Sequence, residues 1–222
     1  MKILFPIGVF YPATVGGPSS TLYWHTCYLN DNQITPYVVT TDYKLDYKKH
    51  NILLNKWIQN EVGNVIYCKT RVNAFPLRAL FETIIKIFQV DIIHYSSAYT
   101  YLTIYTIVVS ILMRKMVLLS PRGEFFPNAI DSLKKRIVII IYKTFQKRII
   151  FHATSSEEYK HIKKIFPLTR IVIQPNFVLL PEQKKDKIKS KNIVFLGIIY
   201  GVKKIENLIE AVSMSNIFKE VS

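Results

Sequence analysis

Short, largely apolar runs recur along this chain, and between them lie stretches whose apolar residues fall three or four positions apart. The runs cover residues 3–9, 37–41, 65–68, 91–95, 116–119, 149–153 and 171–174. Runs this short, without apolar/polar alternation, are strands buried on both faces. The stretches between them have helical spacing. Leu77, Leu80, Phe81, Ile84, Ile85 and Phe88 give the cleanest period, and Leu22, Tyr23, Thr26 and Leu29 mark a helix over 18–30. Helices are also predicted over 99–113 and 131–148, the latter with Asp131 as N-cap. Ser155-Ser156-Glu157-Glu158 fits a capping box that opens a helix to Ile165. The polar, basic stretch 44–59 reads as an insertion or short helix. Alternation of this kind specifies an α/β fold: a Rossmann-like parallel sheet with helices on both faces and right-handed crossovers.

Residues 181–191 break the pattern. They are polar, basic and without period, the composition of a linker. A new strand-like run starts at Asn192 and a helical one at Lys203. The reading is one domain over 1–180, a linker over 181–191, and the first βα unit of a second, incomplete Rossmann-like domain over 192–222.

The chain carries 30 Lys and Arg against 15 Asp and Glu, a formal net charge of +15. An excess this large points to an anionic partner or to a lysine-rich composition with no partner behind it. Nucleic acid is not the expected partner, because no recognised binding module is present and the lysines are scattered. The two cysteines, Cys27 and Cys68, match no metal or redox spacing and suit a reducing compartment. None of the five histidines is spaced for a metal, so no metal is expected. A G-x-S-x-G elbow and a G-x-G-x-x-G fingerprint are both missing, which argues against a serine hydrolase and a nicotinamide or flavin enzyme. The uncharged stretch 98–113 is too short to span a bilayer and reads as a buried helix.

Candidate site residues gather where strands end. Gly16-Gly17 precedes a helix, so the pair is either a ligand-facing loop or an ordinary turn. Ser120-Pro121-Arg122-Gly123-Glu124 follows the fifth run, where open parallel sheets bind ligands. Arg122 offers a fork for phosphate or carboxylate there, or it pairs with Glu124. His94 and His152 lie near strand ends and either line a cleft or pack. Gln174-Pro175-Asn176 makes a turn after the seventh run. Gly197 and Lys203 frame a glycine loop before a helix, where Lys203 meets a pyrophosphate or solvent.

Taken together, these stretches resemble glycosyltransferase family 4, whose fold is termed GT-B. The family's Gly-Gly loop is matched by Gly16-Gly17, its S-P-H/R-G by Ser120 to Gly123, and its A-T-S-x-x-E by Ala153, Thr154, Ser155 and Glu158. Its I-P-N is matched in part by Pro175 and Asn176. Its F-L-G-R-x-x-x-x-K-G-I-E-N-L-I-E-A is followed from Phe195 to Ala211. The resemblance implies a retaining transfer of sugar from a nucleotide-sugar donor to an acceptor hydroxyl, without cofactor or metal. It places the acceptor, a sugar or lipid-linked sugar, on the first domain. Gly16, Gly17, His94, Arg122, Gly123 and Glu124 would line the cleft, and Gly197 and Lys203 would meet the donor diphosphate. It further implies a cytoplasmic protein of bacterial envelope polysaccharide synthesis, in peripheral contact with anionic membrane. Lys134-Lys135-Arg136 and Lys147-Arg148 would make that contact. The sequence departs from the pattern at Ile198, where the family has Arg, and at Lys204, where it has Gly. The family's E-x7-E region has no counterpart before Ser222, so the chain is expected to be weakly active or inactive alone. The alternative is a non-catalytic module, derived from such an enzyme, that binds an acceptor or anionic lipid.

Overall fold

The first apolar run forms β1 (Lys2–Pro6), which sits at the centre of an eight-stranded sheet. The computed structural model describes residues 1–13, 16–46, 50–72, 75–176, 193–195 and 204–215. The chain divides into two compact units, Met1–Leu179 and Leu180–Ser222.

In the first unit, β1 is followed by α1 (Gly16–Asp31), β2 (Thr35–Thr41), β3 (Trp57–Asn60), β4 (Gly63–Cys68) and α2 (Leu77–Gln89). Then come β5 (Ile92–Tyr95), α3 (Tyr101–Leu112), β6 (Met116–Leu119), α4 (Leu133–Thr144), β7 (Ile149–Ala153), α5 (Ser156–Ile165) and β8 (Arg170–Ile173). The sheet order is β3-β4-β2-β1-β5-β6-β7-β8. All neighbours are parallel except β3 and β4. The order reverses direction between β1 and β5, the switch point at which such sheets open a crevice.

Two apolar cores follow from the strands' twofold alternation. On one face, Phe5, Val38, Val65 and Tyr67 pack with Leu22 and Leu29 of α1. On the other, Leu4, Val39, Ile66, Ile93, Val117, Leu119 and Phe151 pack with residues of α2, α3, α4 and α5. The uncharged helix α3 is buried through Leu102, Ile107 and Ile111. Its Thr106 and Ser110 hydroxyls hydrogen-bond the buried Tyr95 hydroxyl at 3.0 and 2.7 Å. Cys27 and Cys68 are both buried free thiols, and burial pushes Cys68 up to about 12.

The structure corrects three local readings. Residues 44–59 are not simply an insertion or short helix, because Trp57 and Ile58 belong to β3, an antiparallel edge strand. That strand is held from outside as well as by its ladder. The Trp57 ring lies under Lys86 Nζ at 4.6 Å, and its indole N–H donates to Glu82. Helix α4 is shorter than 131–148, and its N-cap is Ser132, which accepts from the Lys135 amide. Asp131 instead pairs with Lys135 at 2.8 Å, and Gln146–Arg148 form a separate 3-10 turn. In the expected capping box, Ser155 does accept from the Glu158 amide. The Glu158 carboxylate, however, reaches Thr154 rather than the Ser155 amide.

In the second unit, α6 (Ile205–Met214) is described and starts from Lys204 at a positive φ of 48°. The expected linker at 181–191, Gly197 and Lys203 lie outside the described residues.

Candidate functional site

The carboxyl ends of β5, β6 and β7 bring three residues into one hydrogen-bonded line. His94 Nε2 lies 2.7 Å from Ser120 Oγ, and Ser120 Oγ lies 2.7 Å from His152 Nδ1. His152 Nε2 lies 2.7 Å from the Gln174 carbonyl oxygen. A carbonyl only accepts, so the terminal bond fixes every hydrogen in the line. His152 donates from Nε2, which leaves Nδ1 of the neutral ring as an acceptor. Ser120 therefore donates to His152 and accepts from His94 Nε2–H. Sheet register makes the line possible. His94 is level with Leu118 on β6, and His152 is level with Val172 on β8.

Burial keeps these rings neutral. His94 is fully enclosed and held well below the usual imidazole range by desolvation, with His25, His152 and Arg122 adding repulsion. His25, on α1, packs edge-on to His94 at 5.6 Å and to Phe5 at 5.7 Å. Desolvation, reinforced by Arg122, lowers it to about 4. His152 is lowered chiefly by burial, against the bond to Gln174, which raises it. Despite the three rings, no group of His, Cys, Asp or Glu among the described residues is placed to hold a metal ion.

Arg122 stands beside the line on a tight turn. Arg122 and Gly123 both have positive φ, 50° and 82°, and the Glu124 amide bonds back to the Pro121 carbonyl. That is the type I′ pattern, which glycine adopts freely and arginine at a cost of about 1–2 kcal/mol. Glu158, only 2% exposed, holds the turn in place. One carboxylate oxygen accepts the Gly123 amide at 2.6 Å, and the other accepts the Thr154 amide and hydroxyl, each at 2.7 Å. The Arg122 guanidinium donates from Nη1 to Asn176 Oδ1 at 2.7 Å, and its buried Nε has no partner among the described residues. The guanidinium stays a cation, because burial lowers its pKa from a very high value and Glu158 and Glu124 pull it back up.

These groups line a cavity of about 360 Å³. Thr21 and His25 form its α1 side, His94, Leu118, Ile150 and Val172 its floor, and Arg122, His152 and Asn176 its upper rim. A second cavity of about 350 Å³ opens at the switch point. Gly8, Thr41, Tyr43, Tyr99 and Tyr101 line it.

Of the residues singled out from sequence, His94, Arg122, His152 and the Gln174-Pro175-Asn176 turn share the first cavity. Gly123 serves the turn beneath it. Glu124 faces away and accepts from Ser97 Oγ and the Ala98 amide, clasping the loop before α3. Gly16 and Gly17 begin α1, and a Cβ built on Gly17 meets nothing within 4 Å. His25 and Ser120 carried no role in the sequence reading. Their only signals were an imidazole on a helix after the glycine pair and a serine heading the P-R-G turn.

No protein-family model matches the sequence, and no curated protein matches it. In shape the chain is similar to the Anabaena protein Alr3699/HepE. The HepE structure in complex with UDP-glucose gives a TM-score of 0.52 at 12% identity, over 78% of this chain and 44% of that one. The HepE structure with UDP gives 0.50 at 12% identity over the same shares. The UDP-N-acetylglucosamine 2-epimerase from Rickettsia bellii gives 0.49 at 8% identity, over 99% of this chain and 50% of that one. The chain thus spans about half the length of the proteins it matches. At these identities the likeness establishes the fold alone: a mostly parallel, Rossmann-like α/β sheet.

Proposed function

We propose that this chain is the acceptor-side part of a nucleotide-sugar-dependent glycosyltransferase resembling family 4, acting with retention in bacterial envelope polysaccharide synthesis. One observation carries the reading. The stretches that resemble the family, Ser120 to Gly123 and Pro175-Asn176, follow the carboxyl ends of β6 and β8, and both cavities reach the carboxyl ends of the strands. The tyrosine-walled cavity suits the acceptor. Its lining residues carry no charge, and aromatic faces with flanking hydroxyls fit a sugar ring. The neighbouring cavity supplies a cation, Arg122, and neutral imidazoles whose hydrogens are fixed in advance. A neutral ring can accept a hydroxyl proton, and an arginine can face developing negative charge.

Peripheral membrane contact belongs to the same proposal. Leu133, Ile137 and Ile140 of α4 are 73%, 50% and 63% exposed, close in sequence to Lys134, Arg136, Lys143 and Lys147. No helix among the described residues is long and apolar enough to cross a membrane.

The test is binding by the purified chain, followed through its amide and imidazole resonances. UDP-glucose, UDP and a set of soluble oligosaccharides are titrated separately. Saccharides should shift resonances around Tyr43, Thr100 and Tyr101, and Tyr101→Ala should weaken that response. No saturable response to any saccharide or nucleotide sugar would overturn the reading.

A further inference from the structure

A third cavity, of about 480 Å³, opens past the carboxyl end of β4, where Phe75 and Leu77 flank Pro76 of the switch-point cavity. Its walls are Lys69, Thr70, Arg71 and Arg78, with Phe75 and Leu77 at the rim. The charge around it is one-sided. Only two ion pairs form among the described residues, and one of them is Arg78 with Glu82 at 2.5 Å. The other oxygen of Glu82 is occupied by the Trp57 indole N–H at 3.2 Å. Asp42 is the other nearby acid, and its carboxylate accepts the Thr70 amide at 2.8 Å. Lys69 and Arg71 pair with no acid among the described residues. Helix α2 starts at this cavity with no acidic residue in its first turn and no side-chain cap. Its positive end therefore adds to a potential that the side chains already set.

Three cations converging on one concave space, with two of them unneutralised, suit a compact dianion better than a single carboxylate. The arginine forks match tetrahedral oxyanions, and a phosphate monoester carries nearly two charges near neutral pH. The rim has the opposite character. Phe75 is 57% exposed and Leu77 72% exposed. Phe75 also stacks on Tyr105 at 5.7 Å, which extends the apolar surface onto α3. We propose that this cavity is a phosphate-binding site, taking the phosphate of a lipid headgroup or of a free phosphate compound. This inference is independent of the glycosyltransferase reading, because it shares no residue with the two cavities that carry it.

The whole chain is titrated with inorganic phosphate at constant ionic strength, with chloride as the control. In a second arm it is mixed with phosphatidylcholine vesicles that contain or lack phosphatidic acid. Amide shifts at Lys69, Thr70, Arg71 and Arg78 are followed in the first arm, and cosedimentation in the second. The proposal expects a saturable response in at least one arm that chloride and neutral vesicles do not reproduce. Lys69→Ala and Arg71→Ala should each weaken it at least about tenfold. Both side chains are exposed, so these variants keep the fold, and an unchanged thermal midpoint verifies it. A response to phosphate in solution identifies a free-phosphate site, and a response confined to phosphatidic acid vesicles identifies a headgroup site. The proposal is overturned if neither arm responds, if chloride gives the same shifts, or if the double variant K69A/R71A binds as the parent does. Lys160→Ala, at an exposed position on α5, should leave the phosphate arm unchanged, and an equal loss there would reduce the effect to net charge and refute the site.

Discussion

Replacing Ser120 by Ala tests the hydrogen-bonded line at its middle. Ser120 is fully buried and holds two bonds of 2.7 Å, accepting from His94 and donating to His152. His94 is only 4% exposed, so its Nε2–H would be left without an acceptor in a dry site. An unsatisfied buried donor costs about 1–3 kcal/mol. His152 lies nearer the surface, where water can take up the freed Nδ1, and adds about 0.5–1 kcal/mol. The hydroxyl itself is too small for its cavity to matter. The sum is a loss of about 1.5–4 kcal/mol, or about 0.8–2 M in urea midpoint at an m value near 2 kcal/mol per M. Urea unfolding followed by fluorescence reads the shift. Imidazole nitrogen resonances of the parent should show both His94 and His152 protonated at Nε2. Removing His94's polarity as well, in His94→Leu with Ser120→Ala, should cost less than the sum of the single changes, because no unpaired donor then remains. A midpoint change for Ser120→Ala below about 0.3 M, against that same slope, would refute the argument. So would resonances placing the His152 proton on Nδ1.

Acid should weaken the fold. His25, His94 and His152 all have folded pKa values below the ordinary 6.5, so their contribution is complete above 6.5 and declines as pH falls. For His25 the decline runs from 6.5 to about 4, and thermal midpoints measured across that window should fall steadily. Glu158→Ala should destabilise by about 3 kcal/mol or more, since it strips acceptors from buried amides at both Gly123 and Thr154. It should also broaden the Arg122 amide resonance. Gly63→Ala should cost more than about 2 kcal/mol in denaturant unfolding, because a Cβ there meets Pro36 at 2.7–2.9 Å with φ at 89°. Gly17→Ala, with open space around it, should change stability by less than about 1 kcal/mol.

Most of the sheet was legible because strands buried on both faces show as short runs dominated by apolar residues, although β8 shows such a run while largely exposed. Helix α2 was legible because its apolar residues keep one period throughout. Strand β3 was not. An edge strand needs little burial, and Trp57-Ile58-Gln59-Asn60 carries only two apolar residues. The cap of α4 was misplaced by one position because Asp131 and Ser132 are both good caps, and a lysine four residues on competes for the aspartate. The candidate site was half legible. Arg122 and His94 stood out as polar residues at strand ends. The joining of His94 to His152 through Ser120 depends on the relative offset of three strands that no single segment encodes. His25 comes from a helix that reaches over the sheet, and its approach to His94 is a product of packing.

Because the Gln174 carbonyl has no hydrogen to give, a piece of main chain dictates which nitrogen of a ring three strands away, on β5, is bare. The arrangement works like a row of one-way valves: no member can reverse alone. A small displacement of the backbone at 174 would free the whole row to choose again. His94 could then change from presenting a lone pair to presenting a hydrogen without any change of charge. The orientation of one peptide plane at the end of β8 thereby sets the chemistry of an enclosed imidazole on β5.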